Sequence, residues 1–186
     1  MEFHKTGGPG DIDRMYKMFD ELKNKEKAIV LQARPDILDV PYQFTVTFGH
    51  GEFDLPEIIC TSPMDTAAHV PFLEHALEHW RKHPALVGKS IDAHELLGTE
   101  YGVNADSDSI TFKFVEFDLD PDHPVAHVWH QVYVAYRKYI KADSLTFGIP
   151  RFMQMVFGIN DRYPGEVGGP RNLNKDGSVY QPLLYE

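Results

Sequence analysis

The strongest constraint in this chain is a strand–bend–strand–helix unit between Pro41 and His83. Tyr42, Phe44, Val46 and Phe48 alternate with Gln43, Thr45 and Thr47. Successive strand side chains point to opposite faces, so this period of two predicts a half-buried strand with its aromatics inward. Gly49-His50-Gly51 breaks the pattern. Pro56-Glu57-Ile58-Ile59-Cys60 predicts a second, more fully buried strand that holds Cys60 as a small apolar residue. After Thr61-Ser62-Pro63 the period becomes helical, with Asp65 or Thr66 as the cap. Val70, Leu73, Ala76, Leu77 and Trp80 share one face, while Glu74, Glu78 and Arg81 take the other. Pro84 ends the helix, because the residue before a proline disfavours the helical region.

The rest of the chain reads as cover for this unit or as extension of its sheet. A first helix is predicted over residues 11–24, with Met15, Met18, Phe19 and Leu22 on its apolar face. Ala28–Ala33 predicts a short strand, Leu86-Val87 the start of another, and Ile91–Leu97 a helical turn. Ile110–Phe117 alternates as a strand with two rather apolar faces. A helix follows over His123–Lys141, capped by Asp122, with Val125, Val128, Trp129, Val132 and Tyr136 on one face. Phe152–Gly158 is a last apolar strand. These elements predict one α+β domain over residues 1–159: a mostly antiparallel sheet of about five strands, with helices mainly on one face. Residues 160–186, rich in Gly, Pro and Asn, predict an extended tail rather than a second domain.

Composition bounds the function. The 186 residues carry a formal charge of −10 with scattered basic residues. A nucleic-acid binder needs a concentrated basic face, so nucleic acid is not the expected partner. No apolar run approaches the ~20 residues of a membrane span. The start of the chain lacks a basic-then-apolar leader, so the expected location is cytoplasmic. The single cysteine, Cys60, rules out an internal disulfide and any multi-cysteine metal site.

Three segments together resemble a known family. Pro41-Tyr42-Gln43-Phe44-Thr45-Val46 is similar to its aromatic-Thr-Val strand. Leu55-Pro56-Glu57-Ile58-Ile59 with Pro63 resembles its Pro-Glu-Leu-Val-Val strand and the proline before its helix. Met153-Gln154-Met155-Val156-Phe157, followed by Asn160-Asp161-Arg162-Tyr163-Pro164-Gly165-Glu166, resembles its Leu-Gln-Leu-Val strand and the segment after it. The family is domain-of-unknown-function family 4262, of bacteria and their phages, and the resemblance covers about residues 40–166. Thr47 stands where the family usually has glycine, and Gly51-Glu52-Phe53-Asp54-Leu55 where a Gly-His usually precedes the Pro-Glu. The resemblance implies a fold and a bacterial or phage setting, not a reaction.

Two sets of residues are candidates for chemistry. His75 and His79 sit one helical turn apart, and His123 and His127 repeat that spacing on the later helix. Side-by-side packing of the two helices would let four imidazoles converge on zinc or nickel. The simpler account is solvent-exposed imidazole, since both sets lie off the apolar faces, and no cofactor is expected. The second set is Glu57, Asp161 and Arg162. Glu57 opens a strand where partial burial would raise its pKa, and Arg162 suits a bidentate anion contact. The plain alternative is one ion pair, Asp161 or Glu57 with Arg162.

No complete catalytic constellation is present: there is no Gly-x-Ser-x-Gly elbow and no phosphate-cradling loop. The sequence therefore predicts a non-catalytic binding or interaction protein acting on a protein partner or a small ligand. The alternatives are a metal-dependent hydrolase using the helix-borne histidines, and a nucleotide-signal binder using Arg162.

Overall fold

The alternating stretches form strands, and the 3.6-period stretches form helices. The computed structural model describes residues 9–33, 43–61, 66–97, 110–142, 150–164, 166–167 and 181–184. In chain order the elements are α1 (Pro9–Lys23), β1 (Ile29–Ala33), β2 (Phe44–Phe48), β3 (Glu57–Cys60), α2 (Thr66–Lys82), β4 (Ile91–Asp92), α3 (Ala93–Leu97), β5 (Ile110–Phe117), α4 (Pro124–Ile140) and β6 (Phe152–Ile159). Short 3-10 turns occupy His50–Phe53 and Pro84–Leu86. Among the described residues no helix is long and apolar enough to cross a membrane.

This is an α+β domain with one six-stranded sheet, ordered β1-β2-β3-β6-β5-β4. Every pairing is antiparallel except β3 with β6, which run parallel from Glu57↔Phe152 to Cys60↔Met155. The sixth strand, β4, takes the first two residues of the stretch Ile91–Leu97 that the sequence predicts as a helical turn. Leu86 ends a 3-10 turn instead of starting a strand, and the chain pairs with β5 only at Ile91 and Asp92. The Asp92 carboxylate then accepts the His94 amide at 2.7 Å, which turns the backbone into α3.

The helices divide between both faces, which corrects the expectation of one. α2 and α3 cover Ile58, Cys60, Phe112, Phe114, Met153 and Met155. α1 and α4 cover Phe44, Val46, Phe48, Ile59 and Phe152. The reason lies in the central parallel pair. Ile58 and Ile59 are both wholly buried on opposite faces of β3, and strands apolar on both faces need cover on both. Phe48 is fully buried against Trp129 and Tyr136 of α4. Burial of such a side chain contributes roughly 1.5–3 kcal/mol. The apolar face foreseen for α2 is the buried one: Leu73, Ala76, Leu77 and Trp80 all face the core.

Candidate functional site

The bend after β2 is held by a buried carboxylate. The β2–β3 ladder registers Thr45↔Cys60 and Val46↔Ile59. Beyond it the Thr47 hydroxyl replaces a ladder partner, accepting the Ile58 amide at 2.8 Å and donating to Glu57 Oε2 at 2.7 Å. The Gly49 amide donates to Glu57 Oε1 at 2.9 Å. Gly49 has φ +100°, and a Cβ there would collide with the Leu22 side chain, so both the backbone and the packing require glycine. Glu57 thus closes the open amide end of the His50–Phe53 turn. Burial pushes its carboxyl up to about 7, against the lowering pull of the Thr47 hydroxyl and the backbone amides of Gly49, His50 and Gly51.

The turn in turn places His50. This side chain is wholly buried, with Nδ1 2.8 Å from the Pro56 carbonyl oxygen. Its other ring nitrogen, Nε2, has no hydrogen-bond partner among the described residues. Burial pulls the imidazole down to about 4, and the Pro56 contact opposes that only in part. His50 lines a cleft of about 360 Å³ between α2 and the approach to β1. Ala28, Val30, Leu73 and Leu77 supply its apolar lining, and Glu74 and Arg81 are among its charged groups. An ion pair between Lys27 and Glu74 spans from the β1 approach to α2. These two residues also line a neighbouring hollow of about 350 Å³ that reaches α1.

The other residues singled out in the sequence lie elsewhere. Asp161 and Arg162 are exposed in the turn after β6. Glu57 pairs with Phe152 at the opposite end of that strand, roughly 23 Å from Ile159, which Arg162 folds back to meet, at ~3.3 Å per residue. The distance rules out an ion pair of Glu57 with Arg162, and the alternative pair with Asp161 is not formed either: among the described residues Arg162 makes no salt bridge. It exchanges backbone hydrogen bonds with Ile159, while the Asp161 amide donates to the Thr111 hydroxyl.

The four helix histidines do not converge, because the sheet lies between α2 and α4. His75 is half-buried at the cleft, and His79 is in ring contact with His83 at 5.1 Å. His127 is exposed. His123 caps α4, its Nδ1 accepting the Val125 amide at 3.2 Å, in the role expected of Asp122. Burial lowers the pKa of His123, consistent with a neutral ring accepting that bond. Among the described residues no three His, Cys, Asp or Glu side chains group to hold a metal ion.

A second buried polar cluster closes the other end of the β3–β6 pair. Gln154 Nε2 donates to the Thr61 hydroxyl at 2.8 Å and to the Pro182 carbonyl at 2.6 Å, and its Oε1 accepts the Leu184 amide at 2.7 Å. Gln181 Oε1 accepts the Phe157 amide at 3.2 Å, and its Nε2 donates to the Met155 carbonyl at 3.3 Å. β3 stops at Cys60, so this side-chain amide takes over the pairing of β6. The far end of the predicted tail is thereby anchored to the sheet.

No family model, curated protein or solved structure matches the chain. The site therefore stands on its own geometry. Sequence reasoning passed over His50, Thr47, Gln154 and Gln181. A signal existed for two of them: Gln154 is the lone polar residue within Met153–Phe157, and His50 sits between two glycines. A further basin of about 600 Å³ adjoins the turn, lined by Arg151 and Arg81 over an apolar floor that includes Trp80 and Met153. Arg81 lies 4.7 Å from the Phe53 ring centroid, and among the described residues neither arginine forms an ion pair.

Proposed function

We propose that this chain is a cytoplasmic binding protein of bacterial or phage origin whose ligand site is the cleft beside α2. The origin rests on the three strand motifs that resemble domain-of-unknown-function family 4262. The binding reading rests on one observation: His50 carries a buried nitrogen with no partner among the described residues, and it lines a cleft of about 360 Å³. Buried polar atoms are almost always paired, so an orphan beside a cleft is a reason to look for a ligand. The volume falls near the low end of ligand pockets, roughly 300–1,000 Å³, which favours a small molecule over a peptide.

The test is a metabolite-library titration of nitrogen-15-labelled protein, following the amides of Ala28, Val30, Leu73 and Leu77. Saturable shifts confined to these amides support the reading. Binding that shifts only amides distant from the cleft overturns it, as does a library in which nothing shifts them.

A second reading is the nucleotide-signal binder, with Arg81 and Arg151 in place of Arg162. It is favoured by two guanidiniums that form no ion pair among the described residues and line one basin, a geometry suited to phosphate oxygens, although Asp54 and Glu116 also line it. Titration with ATP in place of the library tests it. Shifts at Arg81 and Arg151 that vanish in the doubly substituted Arg81→Gln, Arg151→Gln protein support it; unchanged spectra exclude it.

A further inference from the structure

We infer that the cleft beside α2 takes a small aliphatic amine, whose ammonium group donates a hydrogen bond to Nε2 of His50. The inference rests on the binding reading above and adds the chemical class of the ligand.

The argument begins with the tautomer. His50 Nδ1 lies 2.8 Å from the Pro56 carbonyl oxygen, and a carbonyl oxygen can only accept. Nδ1 therefore carries the ring proton. A neutral imidazole has one donor and one acceptor nitrogen, so Nε2 presents a bare lone pair. Burial keeps the ring neutral at physiological pH, since it is protonated only near pH 4. The orphan is thus an acceptor, and its missing partner must be a donor.

The surroundings narrow the donor. Glu26, Glu74 and Glu78 all line the cleft, so carboxylates outnumber the two permanent cations there, Lys27 and Arg81, beside the imidazole of His75. Lys27 is already engaged by Glu74, and Arg81 is drawn over the Phe53 ring. Glu78 is held by Lys82 at 2.7 Å, whereas Glu26 forms no ion pair among the described residues. An ammonium group supplies three donors and the positive charge that Glu26 lacks. The net charge of −10 draws cations toward the protein. A metal ion would need more ligands, and among the described residues no three His, Cys, Asp or Glu groups come together to bind one. His50 lines the cleft and its Nε2 is closed off from solvent, so docking requires a neighbouring side chain to turn aside.

Three probes of similar length separate the outcomes: 1,4-diaminobutane, 1,4-butanediol and succinate. The free protein is examined first by long-range proton–nitrogen correlation of the His50 ring. A protonated Nδ1 and a bare Nε2 are expected; a proton on Nε2 overturns the inference at once. On titration, diaminobutane is expected to shift the Nε2 resonance and the amides of Ala28, Val30 and Leu77 saturably, binding at least about tenfold more tightly than butanediol. Glu26→Gln, at an exposed position outside the core, is expected to weaken diaminobutane about threefold, a clear fraction of a tenfold step. His50→Phe is expected to abolish it. Equal or tighter binding of butanediol or succinate leaves the cleft as a binding site but sinks the amine. Silence from all three probes, or exchange at Nε2 with water alone, also sinks the amine, and the library titration then decides separately whether the cleft binds anything.

Discussion

Two clusters of buried polar groups close the two ends of the parallel β3–β6 pair, and they are built from different materials. The trailing end uses neutral groups: the Gln154 amide bonded to the Thr61 hydroxyl and to the returning chain, and the Gln181 amide bonded to the β6 backbone. The leading end uses ionisable groups: Glu57, which holds the amide of Gly49 before one 3-10 turn, and His50, which opens that turn. A neutral network holds at any pH. An ionisable one couples the fold to proton concentration, and it leaves one nitrogen unsatisfied beside a cleft. The first cluster therefore reads as an anchor and the second as a site.

The largest expected effect tests the anchor. Gln154→Leu removes two donated bonds and one accepted bond in a wholly buried position, and is expected to cost roughly 3–5 kcal/mol at any pH. Urea denaturation measures it, and limited proteolysis should open the chain near residues 181–184. A loss below 1 kcal/mol would show that these bonds are replaced by water, and the contrast between the two ends would weaken.

The next effect tests the ionisable end. The folded pKa of Glu57 is raised from 4.5 to about 7, so its stabilising contribution is complete below pH 4.5 and is lost as pH rises through 7. That of His50 is lowered from 6.5 to about 4, so its contribution is complete above pH 6.5 and is lost as pH falls through 4. The two slopes oppose each other between pH 4.5 and 6.5. Each spans about 3 kcal/mol, at 1.36 kcal/mol per pKa unit. Relative to wild type, Glu57→Gln is expected to gain stability as pH rises from 4.5 to 7, and His50→Phe to gain it as pH falls from 6.5 to 4. Urea midpoints across that range measure both; parallel profiles for all three proteins would refute the assignment.

A smaller effect concerns the turn that joins the two groups. Gly49→Ala forces a side chain into a φ of +100° and against Leu22, and should cost about 1–3 kcal/mol. Its pH profile should steepen as well, because losing the Gly49 amide removes one of the pulls that lower the Glu57 pKa. A change in melting temperature without a change in pH profile would separate the turn from the carboxylate. The smallest effect is a control: Lys82→Ala removes an exposed i,i+4 pair with Glu78 and should leave the melting curve unmoved within error.

Particular residues show how far the sequence alone could be read. Ile110–Phe117 is a strand at the bounds its alternation predicted, and α2 ends at Lys82 before His83-Pro84 as foreseen. Glu57 was singled out at a strand opening and is buried there with a raised pKa. Its partners were misjudged, because Arg162 is near it only if one ignores the length of β6. His50 read as part of a glycine-marked break, since nothing local says that Pro56 folds back onto its ring. Gln154 and Thr61 are 93 positions apart, and Gln154 reaches Pro182 across another 28. Such partners are invisible to any window that detects periodicity.

Apolar spacing alone sufficed for the long helices, the long strands and the α+β class, because it is a property of each segment, but not for the two-residue β4, which is too short to show a period. The tertiary structure decided which face of the sheet each helix covers, and so parted His75 and His79 from His123 and His127. It also decided that β3 pairs in parallel with β6, which sets Glu57 and Asp161 at opposite ends of the molecule's central strands. A segment's periodicity states that one side must be buried. What buries it depends on the two-sided apolar surface of β3 and β6, which exists only once those distant strands have met.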